Sequence, residues 1–312
     1  MGEQLHIFSE EAEDQTGEKV GRLDVNALDE MFTASQRYRS SARYLEMLSF
    51  ISRFPKYSPF NCLLLYTQNP AVSYVATVGT WQKRFRRRPK FDARPLVILA
   101  PMSPVLFVYD LKDTEGAPVP EELLRPYRTH GELSEQIWER TLENCQSHGI
   151  TIRETLLRHK HAGSAMSLNM SLQGQYKELQ LEPWAKYLIF LNKEYTLEDK
   201  YSSLTHELAH IFCGHVGVDE DAWWDSRVSA PHNEMEIEAE SVAYLVCRRQ
   251  GLEANSDKYL ADYRTNEVKE IPPVSLNTIL AVTSYIEEMG QSGFKKRKSR
   301  RKAGDTGQAR PQ

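Results

Sequence analysis

The sequence predicts an α+β protein in two parts. A small amino-terminal α+β domain precedes a larger domain built on an active-site helix and a second, ligand-bearing helix. Three observations predict this. Helical patterns alternate with short apolar runs bounded by proline, glycine and serine. His206-Glu207-Leu208-Ala209-His210 lies inside an apolar helical pattern running from Leu204 to Phe212. A second helical pattern, acidic and then apolar, follows from Glu234 to Val246.

The elements follow in order. Apolar positions Leu23, Ala27, Met31, Leu45, Leu48, Phe50 and Ile51 predict a helix over Asp24 to Phe54, which Pro55 ends. Ser58-Pro59 is a capping serine followed by proline at the first helical position, so a helix runs from Phe60 to Gln68. Ser73 to Ala76 reads as a short strand, and Thr80 as the cap of a brief helix beginning at Trp81. Leu96 to Ala100 and Val105 to Tyr109 read as two strands. Lys112 to Arg128, rich in proline and charge, reads as a linker.

Beyond it, Leu133 to His148 reads as a helix. Ile150 to Ile152 and Gly163 to Leu168 suggest strands, and Trp184 to Asn192 is the clearest strand of this half. That last strand and the residues preceding it are the candidates for the sheet edge beside the active helix, where an extended peptide could pair. Thr196 caps the active helix, with Asp199 three positions on. A final helix from Pro273 or Ser275 to Met289 closes the domain.

Composition bounds the class. The 312 residues are 40% hydrophobic and 26% charged, as in a globular protein with a substantial core. The net charge of −4 is uneven: six acids and one base fall in the first twenty residues, and seven bases fall between Lys295 and Lys302. Both ends are expected to be disordered. No apolar run approaches the roughly 20 residues that span a bilayer, so no membrane partner is expected. The acidic start lacks a basic leader. Cys62, Cys145, Cys213 and Cys247 are scattered and read as reduced thiols, which with the missing leader predicts a cytoplasmic protein. Cys213 is read as a buried filler.

His206 and His210, four apart on a helix, share a face at about 6 Å of rise and can aim two imidazoles at one metal ion. Glu207, about 100° further round, is placed to act as a base rather than as a third arm. This pattern is the zinc metalloprotease signature. A catalytic zinc needs three protein ligands. The second helix offers Glu236 or Glu238 as the third. Glu240 lies one turn beyond Glu236 and could accept a hydrogen bond from a ligating imidazole. His215 fits neither a continued helix nor the longer zincin motif and is assigned a surface or capping role. Trp223 and Trp224 are read as packing residues rather than as a substrate groove. Tyr195, Tyr201, His232 and Tyr244 are all open as oxyanion stabilisers.

The run HELAHIFCGHVG, then WWDSR, then EIEAESVAYLVCRRQGL resembles the ImmA/IrrE-type zinc metallopeptidases, in particular the branch joined to an ArdC-like amino-terminal domain. In that family the third ligand opens a Glu-x-x-Ala-acidic/Asn pattern. The resemblance therefore implies Glu236 as ligand, with Ala239 and Glu240 completing the pattern and Glu238 the alternative. It also implies zinc as cofactor and a protein substrate, such as a repressor cut to relieve repression.

The amino-terminal matches are SPFNCLLLYTQNP, VGTWQKRF and LVILAPM, between Ser58 and Met102. RRRPKFDAR stands where a glycine-containing basic loop often follows the tryptophan. The implied layout is an acidic tail (1–20), an ArdC-like domain (21–111), a linker (112–130), a zincin-like metallopeptidase domain (131–290) and a basic tail (291–312).

A second class competes: a single-stranded-DNA-binding, antirestriction-like module whose zinc domain is regulatory or vestigial. From Trp81 to Lys90 the chain holds six bases and no acid, with Trp81 and Phe85 interleaved. Trp81, Lys83, Arg84, Arg86, Arg87 and Arg88 are the candidates for neutralising phosphates and stacking on bases. ArdC-like domains are associated with single-stranded DNA, so the resemblance points the same way. The alternative is a solvated basic helix end with Trp81 and Phe85 buried. An intact Glu207 argues against a vestigial site. The combined expectation is a zinc peptidase, with single-stranded DNA as a candidate partner.

Overall fold

A computed structural model of the chain describes residues 41–100, 105–118, 131–156, 163–168, 181–252 and 271–298. Both expected disordered tails lie largely outside these residues, as does the first part of the helix expected from Asp24. The protein is α+β. Its elements are α1 (Ser41–Ser52), α2 (Pro59–Gln68), β1 (Val75–Ala76), α3 (Val78–Phe85), β2 (Arg87–Pro89), β3 (Leu96–Ile98), β4 (Leu106–Asp110), β5 (Thr114–Gly116), α4 (Glu135–Ser147), β6 (Ile150–Thr155), β7 (Gly163–Ser167), β8 (Tyr187–Asn192), α5 (Leu197–Phe212), α6 (His232–Arg249) and α7 (Leu276–Met289). No described helix is long and apolar enough to cross a membrane.

Local chemistry sets most boundaries. Ser58 Oγ accepts from the Asn61 N–H, with Pro59 in the first turn of α2. Thr196 Oγ1 accepts from the Asp199 N–H and bonds its carboxylate, closing a box at the start of α5. Ser275 caps α7. The brief helix differs from expectation: Thr77, not Thr80, is its cap, and α3 begins at Val78. Thr77 accepts the Thr80 N–H, so Thr80 occupies the third helical position.

In the amino-terminal part β4 lies between β1 and β3, antiparallel to both. Asp110, buried at the end of β4, accepts the backbone N–H groups of Ser73 and Tyr74 and so ties β1 in place. The expected linker does not begin at Lys112. Leu111–Asp113 form a 3-10 turn, and β5 then pairs with β2.

In the other half the sheet order is β6-β8-β7, with β6 parallel and β7 antiparallel to β8. Tyr187 to Asn192 is therefore the central strand, not the expected edge. Five of its six residues are buried, as both-face coverage requires. Among the described residues the edge beside α5 is β7, which the helix also touches.

Leu204, Leu208, Ile211 and Phe212 of α5 are fully buried against α6, the sheet and α7. α6 packs in turn on α7 and α1, while α2 packs on α7 and β3. One continuous apolar core thus runs from Tyr44 in α1 to Met289 in α7. Arg249, in the last turn of α6, crosses between the halves. It donates to the carbonyls of Ile51, Phe54, Pro55 and Tyr57 and pairs with Glu287. Those donors add to the backbone bonds that Ile51 and Phe54 already accept and gather the carbonyls past the end of α1 onto one guanidinium.

Candidate metal centre

The i, i+4 spacing on α5 and the start of α6 converge on one point. His206 Nε2 and His210 Nε2 are 3.1 Å apart. Glu236 Oε2 lies 3.8 Å from His206 Nε2, and Oε1 lies 3.5 Å from His210 Nε2. All three residues are half-buried. Zinc bonds of about 2.0–2.1 Å in a tetrahedron set their donor atoms about 3.3–3.4 Å apart, and the separations between the two nitrogens and the two Glu236 oxygens fall on either side of that spacing. The donor set, two imidazoles and a carboxylate, is that of a catalytic zinc with a fourth position left open. The residues therefore fit the ion.

Glu238 faces the other way. Its carboxylate is fully buried, bonded by Arg227, by His215 and by the Ser275 N–H. Burial opposes its charge, but His215 and Arg227 together hold its carboxyl below the usual range. Glu240 Oε1 is 3.5 Å from His206 Nδ1, on the side of the ring opposite the Nε2 cluster.

Glu207 is buried, and burial followed by the charge of Glu236 pushes its carboxyl up to about 8. The backbone of Ala165 in β7 opposes that rise with a hydrogen bond. Gly163 lets β7 come this close: a Cβ there would sit 2.9 Å from Glu207 Oε1 and 3.1 Å from the Phe190 carbonyl oxygen. Burial first, and the neighbouring histidines second, push His210 down to about 3. Burial also lowers His206. Both imidazoles are thus held neutral, the form that ligates a metal.

His215 is a correction. It is neither a surface residue nor a simple cap but is buried at 6% exposure, with its Nδ1 3.0 Å from His210 Nδ1. The reason is the helix end. Gly214 has φ +80°, its N–H bonds the Ile211 carbonyl, and the His215 N–H bonds the His210 carbonyl. This is a Schellman motif, which folds the second residue past the cap onto the last turn. The Cys213-Gly214-His215 spelling was the available signal. Only glycine serves at 214, because a Cβ there would meet the Asp225 carbonyl oxygen at 2.0 Å. Gly214 also accepts the Arg227 N–H, which fixes the loop bearing the Glu238 partner. Sequence reasoning missed Arg227, Gly163 and Ala165 as parts of the site, since only the chain's return past α5 brings them there.

Cys213 is a buried filler, as expected. Trp224 and Trp223 pack around Phe212 and Tyr285. Of the oxyanion candidates, Tyr201 is fully buried. His232 is exposed, with Nδ1 3.6 Å from Glu236 Oε1, at the rim of the centre.

The basic stretch is divided by the fold. Trp81 is fully buried and donates Nε1–H to the Tyr109 carbonyl, edge-on to Tyr74 and packed on Phe85. It is not available to stack on a base. Arg87 is turned inward: its Nε donates to Thr114 Oγ1, and its Nη groups to the carbonyls of Thr114 and Ala117. Arg88 pairs with Glu115 at the surface. Lys83, Arg84, Arg86, Arg88 and Lys90 remain exposed. Gln82 and Arg86 to Arg88 line a shallow, open cleft with Glu115 and Gly116.

Comparison of the chain with family models, with curated proteins and with solved structures finds no match.

Proposed function

We propose that the protein is a zinc-dependent metalloendopeptidase of ImmA/IrrE type that cleaves a protein substrate. One observation supports this reading: His206, His210 and Glu236 bring ligand atoms of catalytic-zinc type within 4.8 Å of one another, beside the buried Glu207. Bound zinc supplies a Lewis acid that acidifies water and polarises a carbonyl.

The chain supplies the rest. Glu207 takes the proton of the attacking water at its carboxylate and returns it to the leaving amine. Its burial between α5 and β7 places its proton affinity near neutral pH, where a group can both accept and donate. Ala165 orients the carboxylate through the backbone. His232, exposed and 3.6 Å from Glu236 Oε1, is the candidate for a contact to the substrate oxygen. The edge of β7 runs past Glu207 and offers backbone groups to an extended peptide. The substrate class suggested by the resemblance is a regulatory protein such as a repressor.

The exposed bases from Lys83 to Lys90 support a second, compatible reading, that the amino-terminal part contacts single-stranded DNA through phosphates rather than by stacking.

The deciding experiment compares proteins cleaved in cells producing the wild type or Glu207→Gln. Substrates should be cut only by the wild type, while both chains hold zinc. Identical cleavage patterns would reject the peptidase reading.

A further inference from the structure

Behind the three-residue centre lies a second polar chain that the peptidase reading leaves unused. The side chains of His215 and Glu238 are 1% and 0% exposed. His215 Nδ1 is 3.0 Å from His210 Nδ1, and His215 Nε2 is 3.0 Å from Glu238 Oε2. Glu238 also receives both terminal nitrogens of Arg227 and the Ser275 N–H.

With Cys213, these residues form a second group of potential ligand atoms. A second cation is disfavoured there. The Arg227 guanidinium already spans both carboxylate oxygens, and both nitrogens of His215 are engaged.

The chain is better read as an ordered line of donors and acceptors. A carboxylate held by a guanidinium and a backbone N–H is an acceptor. His215 Nε2 must therefore carry a proton to reach it. The contact between His215 Nδ1 and His210 Nδ1 needs one donor and one acceptor, and only with His215 Nδ1 accepting is His210 Nε2 left bare for a metal. His210 Nδ1 must then donate. A neutral His210 that donates from Nδ1 bares its Nε2 lone pair, and Nε2 is the atom that faces His206 and Glu236.

We propose that Glu238 and His215 position the His210 ligand by locking it in the Nδ1–H tautomer, with Arg227 holding Glu238 as the acceptor. The role rests on the metal centre of the proposed function. It extends the usual carboxylate–histidine–metal arrangement by one imidazole. His215 is a positioning residue: it meets the centre only through His210. The Schellman motif at Gly214 is the backbone device that puts it there.

The first test is the tautomer itself, read by long-range nitrogen–proton NMR correlations on the metal-free full-length chain. The expected result is Nδ1–H at His210 and Nε2–H at His215. An Nε2–H tautomer at His210 overturns the proposal. The second test is zinc(II) affinity, measured against a competing chelator in His215→Leu and His215→Gln, each checked for fold by near-ultraviolet circular dichroism. Leucine removes the acceptor, and affinity should fall about 10–100-fold. Glutamine offers a carbonyl to His210 and an amide to Glu238, and should return affinity to within a few-fold of wild type. Unchanged affinity in folded His215→Leu overturns the proposal, and so does a folded His215→Gln as weak as that range predicts for leucine. If the leucine variant does not fold, the glutamine variant and the tautomer decide. The two readings fail differently: correct tautomers in a wild-type chain that binds no zinc reject the metal centre, whereas bound zinc with the wrong tautomer rejects the relay alone.

Discussion

Arg249 Nε lies 2.6 Å from Glu287 Oε1 in the protein interior, where their side chains are 2% and 12% exposed. The pair joins the last turn of α6 to α7, and the same guanidinium holds four carbonyls at and beyond the end of α1. Removing one member of such a pair leaves the other charge buried. Arg249→Met should therefore destabilise the protein by about 3–5 kcal/mol, and adding Glu287→Leu should recover part of that loss. Urea denaturation checks both. A single variant as stable as wild type would show that the pair is not what joins the halves.

The metal centre makes a compositional prediction. Purified protein should carry about one zinc per chain, and His206→Ala should lose it, because two remaining ligands make a poor site. Elemental analysis decides. Stoichiometric zinc retained by His206→Ala would place the ion elsewhere.

Gly163 gives a more selective probe. Gly163→Ala puts a methyl group 2.9 Å from Glu207 Oε1, and the flexible carboxylate must move aside. A displacement of about 1 Å in a catalytic group can cost about 100-fold in rate. Zinc content should be unchanged while peptide cleavage falls by that order. Wild-type turnover in the alanine variant would remove Glu207 from the role assigned to it.

Stability should depend on pH through His148. This residue is 2% exposed, with Nε2 against Tyr285 Oη and Nδ1 against the Asn144 carbonyl. Burial first pushes its pKa from the ordinary 6.5 down to about 4. Between those values the unfolded chain binds the proton and the folded chain does not, so stability rises with pH across this window. The full change is about 3 kcal/mol, lost as pH falls from 6.5 toward 4. Measured against His148→Asn to cancel the carboxylates, the difference should flatten above pH 6.5. A constant difference from pH 4 to 7 would refute it.

DNA contact, if made, should rest on the exposed bases only. Replacing Arg84, Arg86 and Arg88 with alanine should weaken binding to a labelled oligonucleotide and flatten the salt slope by about 0.7 per lost phosphate contact. Arg87→Ala should act on stability instead, since its donors are spent on Thr114 and Ala117. Trp81→Ala should cost about 3–5 kcal/mol as a cavity. A folded triple variant with wild-type affinity and slope removes this stretch from the DNA reading.

What the sequence by itself determined is what depends on neighbours along the chain. The caps at Ser58 and Thr196, and the shared face of His206 and His210, follow from hydrogen bonds and helical pitch within four residues. Thr77 and Thr80 show the margin of error, because two equivalent caps three residues apart compete and only the surrounding packing chooses.

The tertiary structure decided what depends on the chain's return. Alternating and apolar patterns mark a strand but not its place in a sheet, so Tyr187–Asn192 could be read as an edge until β6 and β7 flanked it. A run of bases looks uniform in sequence, yet burial of Trp81 and the carbonyls facing Arg87 split it into structural and exposed members. Two glutamates two residues apart on one helix point to different partners. Glu236 faces the histidines of α5, and Glu238 faces Arg227 from a loop pinned by Gly214. The spacing offers both carboxylates; which one meets the centre is set by the face that α6 turns toward α5, a packing choice made by buried apolar residues such as Ile237, between the two glutamates, and Val242, beyond them.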